Sequence, residues 1–159
     1  MNRYWLCVLA ALLVFGSCSR NTADENGAKP NVQTEEFVPY NIGDSTQFKT
    51  YANGVQVYTV LEGPGQFPRQ NMSIQFNYHG MLMDGKVFDS SFNRGEPLKI
   101  RLGEGEIIQG LEYALQKMRF GTKAVVVIPP ELAYKDREDV PDIPPNSTLA
   151  FHVDILGAF

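Results

Sequence analysis

Residues 72–91 read MSIQFNYHGMLMDGKVFDSS, and the stretch changes character twice. Through Tyr78 it alternates, with Met72, Ile74, Phe76 and Tyr78 on one face and Ser73, Gln75, Asn77 and His79 on the other. Period two is the signature of a strand with one buried face. MDG then reads as a tight turn, because an Asp-Gly pair suits positive φ. KVFDSS continues as a second strand. The stretch is therefore an antiparallel hairpin, and it ends on an acid beside two hydroxyls, Asp89, Ser90 and Ser91. Whether Asp89 activates a serine depends on what else the chain supplies.

The same texture extends both ways. GVQVYTVLEG (54–63), PLKIRLG (97–103), KAVVVIPP (123–130) and TLAFHVDIL (148–156) read as strands. In the last, Leu149, Phe151, Val153 and Ile155 share a face. Between the second and third of these strands the period switches. In IIQGLEYALQKMRFG (107–121), Ile108, Leu111, Leu115 and Met118 recur at helical spacing, with Lys117 and Arg119 in the last turn and Gly121 as the stop. The fold class is α+β: a twisted antiparallel sheet of five to six strands wrapped around one short helix, which covers the sheet's apolar face. KDREDVPDIPPNS (135–147) reads as a long polar loop.

The N-terminal part is read as processing signal and tether. Residues 1–17 carry Arg3, then an apolar run of about a dozen residues, too short to span a bilayer as a final anchor, so the run is a secretory h-region. VFGSC (14–18) resembles a bacterial lipobox, with Phe15 where leucine is usual. Cys18 is then the lipidated first residue, carrying palmitate-type acyl chains. Cys7 leaves with the leader, so the mature chain has no disulfide. Residues 18–50 are a polar tether and 51–159 the folded domain. The expected location is the bacterial cell envelope, lipid-anchored. Ser19 after the cysteine favours the outer over the inner membrane, with the domain in the periplasm or at the surface. One domain without a dimerisation helix suggests a monomer.

Several chemistries are excluded. The chain of 159 residues has a formal net charge of -4, which argues against nucleic acid. LGEGEIIQG is too acidic and wrongly spaced for a phosphate cradle. The two histidines, His79 and His152, alternate onto the face opposite the core, and no GxSxG elbow exists, so a serine hydrolase lacks its base. No metal site is expected, because ligands do not cluster and the acidic loop lacks the EF-hand pattern. No cofactor is called for. What remains is a set of aromatic and branched residues near turns, which can line an apolar cleft: Tyr78, Phe88, Ile107, Ile108, Tyr134, Ile143 and Phe151.

FNYHGMLMDGKVFDSSFNRGEP, LGEGEIIQGLEYALQKMRFGTKAVVVIPPELAY and IPPNSTLAFHVDIL together resemble the FK506-binding-protein (FKBP) type peptidyl-prolyl isomerases. The likeness runs from about residue 54 to 155. It implies a proline pocket between helix and sheet and a reaction without covalent chemistry: rotation about the X-Pro amide. That bond has a barrier of about 18–20 kcal/mol and turns over in tens to hundreds of seconds unaided. The twisted transition state is less polar than the planar amide, so a dry pocket favours it.

Carried over, the resemblance makes Phe88, Leu98, Ile107, Ile108, Leu111, Ile143 and Phe151 the substrate-binding set, and Asp89, Tyr134 and Tyr78 the catalytic one. Ile143 closes the rim. The Ile108 N–H and the Tyr134 hydroxyl hold substrate carbonyls. Asp89 is an electrostatic element oriented by Tyr78 and Arg94, and Ser90 and Ser91 form a turn. Substrates are proline-containing unfolded or exported polypeptides. This chain departs from the family pattern at Leu111, where well-studied members have tryptophan, at Leu98, and in the loop 135–142 with two basic and four acidic residues. These departures support a second reading, an FKBP-fold peptide-binding or chaperone module with weak or no isomerase activity.

Overall fold

Alternating apolar positions need a sheet whose strands each turn one face to a common core, and the computed structural model, which describes residues 47–159, has that sheet. The expected leader (1–17), Cys18 with its expected lipid and all but the end of the expected tether lie outside the described residues. The strands are β1 (Lys49–Thr50), β2 (Gln56–Leu61), β3 (Ser73–Leu82), β4 (Val87–Ser90), β5 (Leu98–Arg101), β6 (Lys123–Ile128) and β7 (Leu149–Ala158). They pair antiparallel throughout in the order β1-β2-β6-β7-β3-β4, with β5 also on β3. The count is seven rather than five to six. The extra strand, β1, has two exposed residues, too few to show alternation, and it lies at the end of the segment read as tether.

β3 and β7 form the long central pair, ten residues each, in register from Phe76↔Ile155 to Leu82↔Leu149. The expected inward residues are inward. Ile74, Phe76, Leu149 and Ile155 are fully buried, with Tyr78, Phe151 and Val153 nearly so. The β3–β4 turn uses Gly85 at φ 90, as the Asp84-Gly85 pair requires.

A single-turn helix α1 (Ser91–Arg94) separates β4 from β5, and α2 (Gln109–Leu115) packs its Gly110, Leu111, Ala114 and Leu115 face into the core. α2 is shorter than the periodicity suggests. Its end tightens into three-residue turns, Lys117 N–H to Ala114 C=O at 2.9 Å and Met118 N–H to Leu115 C=O at 3.3 Å, so Lys117 and Arg119 lie beyond it. Gly110 allows the close approach to β6: a Cβ there would stand 2.3 Å from Ile128 Cγ2.

The outer face is less wet than alternation implies. Ser90, His79, His152 and Val125 form a buried row across β4, β3, β7 and β6. His79 is 7% and His152 6% exposed, and Phe92 of α1 stacks on the His79 ring at 4.6 Å with an 11° interplanar angle. Burial holds both imidazoles below the ordinary range. For His152, with the His79 charge adding, the pKa falls to about 4.

The fold thus accommodates neutral imidazoles, whereas the unfolded chain takes up protons from about pH 6.5 downward. The stability tied to the neutral form is complete above pH 6.5 and drains as pH falls, for His152 down to about 4 and by up to about 1.4 kcal/mol per pH unit, with His79 adding in the same direction. Urea midpoints measured between pH 7 and 4.5 should fall accordingly, with a shallower slope in His152→Gln. An unchanged slope would place the proton uptake elsewhere.

Candidate active site

The inner face next to the hairpin is built around a missing side chain. Gly80 pairs with Asp89 on one side and Phe151 on the other. A Cβ on Gly80 would lie 2.7 Å from the Phe88 ring and 3.0 Å from the Phe151 ring. The space that Gly80 leaves is filled by these rings, which meet edge to face at 5.8 Å, and Tyr78 follows at 6.1 Å from Phe151. Such arrangements suit the charge distribution of aromatic faces and edges. A register shift after Gly80 pairs Met81 with Val87, leaving Phe88 in the irregularity.

Asp89 stands at the edge of this aromatic cluster in a closed triangle. Its carboxylate accepts hydrogen bonds from the Tyr78 hydroxyl, from Arg94 Nη1 and from the Ser90 N–H at 2.7 Å. Arg94 Nη2 donates to the Tyr78 hydroxyl oxygen at 3.0 Å. Burial pushes Asp89 upward, but Tyr78, the Arg94 charge and the Ser90 N–H outweigh it and hold the carboxyl below its ordinary value. Since the side chain remains 44% exposed, a ligand can reach it.

Local sequence explains why Arg94 arrives there. Ser90 Oγ caps α1 by accepting the Asn93 N–H at 3.2 Å. Ser91 is fully buried, and its Oγ accepts the Tyr78 backbone N–H at 2.9 Å while donating to Asn77 Oδ1 at 3.1 Å. Gly95 ends the turn in the left-handed region at φ 75. Both hydroxyls are thus engaged in structure. They make a helix cap and a strand plug rather than a simple turn.

The remaining expected residues come from four other segments. Ile107 and Ile108 lie at the start of α2, with the Ile108 carbonyl accepting the Leu111 and Glu112 N–H groups at 3.1 Å. No acceptor among the described residues takes the Ile108 N–H. Leu111 is buried beneath them, and Leu98 joins the cluster from β5. Tyr134 follows the short 3₁₀ turn Pro130–Leu132 and is half-buried. Burial first, and then the Asp89 charge, raise its pKa, as burial raises that of Tyr78. Ile143 is 7% exposed, so it is packed inside rather than at a rim.

Nine of the ten expected site residues therefore join one apolar cluster, with the tenth, Asp89, at its edge. Three contributors were missed. Gly80 acts by having no side chain, Ser91 by a hydrogen bond to a backbone 13 residues away, and Val140 by packing inward from a charged loop. Of these, only Gly80, interrupting an alternating strand, leaves a trace in sequence. Among the described residues no group of three or more His, Cys, Asp or Glu gathers to hold a metal.

Comparison with known proteins gives a consistent result. The family described as FKBP-type peptidyl-prolyl cis-trans isomerase matches residues 65–156. "FKBP-type peptidyl-prolyl cis-trans isomerase FkpA" of Escherichia coli K12 is 44% identical over 135 residues, 84% of this chain and 47% of that protein. The chain thus spans about half the length of the curated relatives it matches. The crystal structure of FkpA superposes with a TM-score of 0.66 at 42% identity, covering 73% of this chain and 53% of that one. The crystal structure of AtFKBP13 gives 0.66 at 36% identity, covering 70% and 98%.

Two outcomes follow from the geometry. Gly80→Ala should drive the Phe88 and Phe151 rings apart. The overpacking costs about 1–3 kcal/mol of stability and weakens binding of a proline peptide, measurable by unfolding and titration on the same sample. Unaltered affinity would show that ring placement does not shape the pocket. Asp89 ionises below 3.8, and both tyrosines ionise above 10.0. Their charges stay constant between those limits. The site's turnover should therefore be flat with pH from 6.5, where the histidines are neutral, to near 10. A titration inside that window would reveal another essential group.

Proposed function

Because the chain belongs to the FKBP-type peptidyl-prolyl cis-trans isomerases, we propose that the cluster around Gly80 receives proline and that the protein accelerates X-Pro rotation in unfolded, exported polypeptides. The observation that carries this reading is the ionised Asp89 held at the lip of an aromatic pocket by Tyr78 and Arg94.

The chemistry follows from polarity. Planar amide resonance puts charge on oxygen and nitrogen, and twisting removes it. Tyr78, Phe88, Leu111, Ile143 and Phe151 offer a pocket poor in water, which solvates the planar form less well than bulk solvent does and so lowers the barrier. The open Ile108 N–H and the Tyr134 hydroxyl, kept protonated by its raised pKa, donate to substrate carbonyls. Asp89 places a fixed negative charge beside the carbonyl carbon. Because the triangle holds it in advance, it needs no reorganisation during the reaction.

The setting comes from the sequence. The leader 1–17 and the VFGSC motif support a lipid on Cys18, with the domain held off an envelope membrane, the outer one favoured by Ser19. The domain works there as a monomer on chains emerging from export. Among the described residues no helix is long and apolar enough to cross a membrane. Leu111 and the charged loop 135–142 favour a second reading, in which the fold binds peptide with little turnover.

Relaxation of a cis-enriched Leu-Pro peptide, followed with protein beginning near residue 35, separates the two. Clear acceleration is expected. Asp89→Ala should reduce kcat/KM about tenfold, equivalent to about 1.4 kcal/mol. Tyr134→Phe should cost about three- to tenfold, the range of one lost hydrogen bond. Acceleration indifferent to both substitutions would overturn the site. Peptide binding without acceleration would favour the binding module.

A further inference from the structure

Part of the proposed pocket's wall is shared by two segments far apart in sequence. Phe88 and Asp89 follow directly from the β3–β4 turn, whereas Tyr134 and Ile143 stand at either end of the loop 135–142. The base of that loop is closed by its own backbone. Lys135 N–H donates to Pro130 C=O at 2.9 Å, and Asn146 N–H to Lys135 C=O at 2.6 Å. Within the loop, Arg137 and Asp139 form a two-pronged ion pair at 2.7 and 2.8 Å. None of these ties the loop to the opposite wall. That connection is made by Lys86 Nζ and Asp142 Oδ1, 2.7 Å apart, across 56 residues of chain.

Both partners are placed by rigid local structure. Lys86 sits in the hairpin turn, with its N–H on Asp84 Oδ1 at 2.9 Å and its carbonyl accepting the Leu82 N–H at 2.9 Å. Asp142 lies in the left-handed region at φ 63, which Asp tolerates better than most residues. Its neighbour Ile143 is inserted among the pocket side chains. We infer that Lys86 and Asp142 are positioning residues: their ion pair straps the loop to the hairpin and so holds Ile143 in the binding pocket. The inference rests on the proline-pocket reading above and adds to it a pair that acts through Ile143 without touching substrate.

The side chains are 54% and 60% exposed, so the strap is weak and sensitive to salt. It acts on a loop in which Arg137 is engaged by Asp139, and the ion pair of Asp142 is made outside its own segment, with Lys86. A loosened strap lets Ile143 leave its place some of the time. Substrate then meets a pocket that is complete in only a fraction of molecules, which raises KM and leaves the chemical step alone.

The test compares wild type with Lys86→Met, Asp142→Asn, the double variant, Lys86→Arg and the charge exchange Lys86→Asp with Asp142→Lys. For each, kcat and KM for a proline peptide, peptide affinity by titration, and the Ile143 methyl resonance are measured. Each single loss should raise KM and the dissociation constant about two- to fivefold, the reach of an exposed ion pair, with kcat unchanged and the Ile143 signal shifted. The double variant should be no worse than either single. Lys86→Arg and the exchange should restore wild-type values, and 1 M salt should weaken wild type but not Lys86→Met. Unchanged affinity in the single variants, or an exchange that stays as weak as they are, would overturn the inference. Because affinity is read apart from turnover, a wild type that binds without accelerating would sink the isomerase reading alone.

Discussion

A ten-residue strand in the middle of a sheet presents backbone donors along both edges, and every buried one has to be satisfied. β3 meets β7 along one edge, but the other is shared by two shorter strands, β4 at one end and β5 at the other. Between them the Tyr78 N–H would be orphaned. The Ser91 hydroxyl takes it, and it can do so only if the chain leaves β4 and turns inward as a single helical turn. Ser90 caps that turn, Phe92 closes over His79 on the outer face, and Arg94, at its end, returns to Asp89 and Tyr78 on the inner one. One unsatisfied donor therefore organises both faces of the sheet.

This arrangement explains why an acid beside two hydroxyls is no hydrolase. Both hydroxyls have structural hydrogen bonds, and His79, which shares the outer-face row with Ser90, is buried under the Phe92 ring. The carboxylate itself is held ionised by a phenol and a guanidinium rather than poised to accept a proton. What the site offers is a fixed charge at the edge of an apolar cluster, which suits a reaction whose transition state differs from its ground state in polarity and shape.

The departures from the family pattern fall on one side of the pocket. Leu111 is buried in the cluster and Val140 of the charged loop 135–142 packs against it, while the aromatic contacts of Tyr78, Phe88 and Phe151 and the Asp89 triangle are in place. Much of the loop's charge is spent on its own geometry: Arg137 with Asp139, and Asp142 with Lys86. A loop rich in charge is not necessarily a loop that presents charge to a ligand.

Alternation in 72–80 and 148–156, the Asp84-Gly85 turn and the switch to helical spacing after residue 107 were enough to derive the antiparallel sheet, its helix and the core positions on the two long strands and the helix. Each is a local periodicity that burial on one face imposes on neighbouring residues. The apolar residues expected of the pocket were named by motifs long enough to carry the family resemblance, and the structure gathers them in one cluster. The two-residue β1 was not legible, because pairing so short leaves no pattern. Nor was the burial of His79 and His152, which depends on α1 closing over a face that alternation assigns to water. The inward place of Ile143, the ring packing over Gly80, the hydrogen bond from Tyr78 to Ser91 and the Lys86–Asp142 ion pair were decided by tertiary structure alone. Each joins residues 8 to 71 positions apart, and no local period records which distant side chain will occupy a given space.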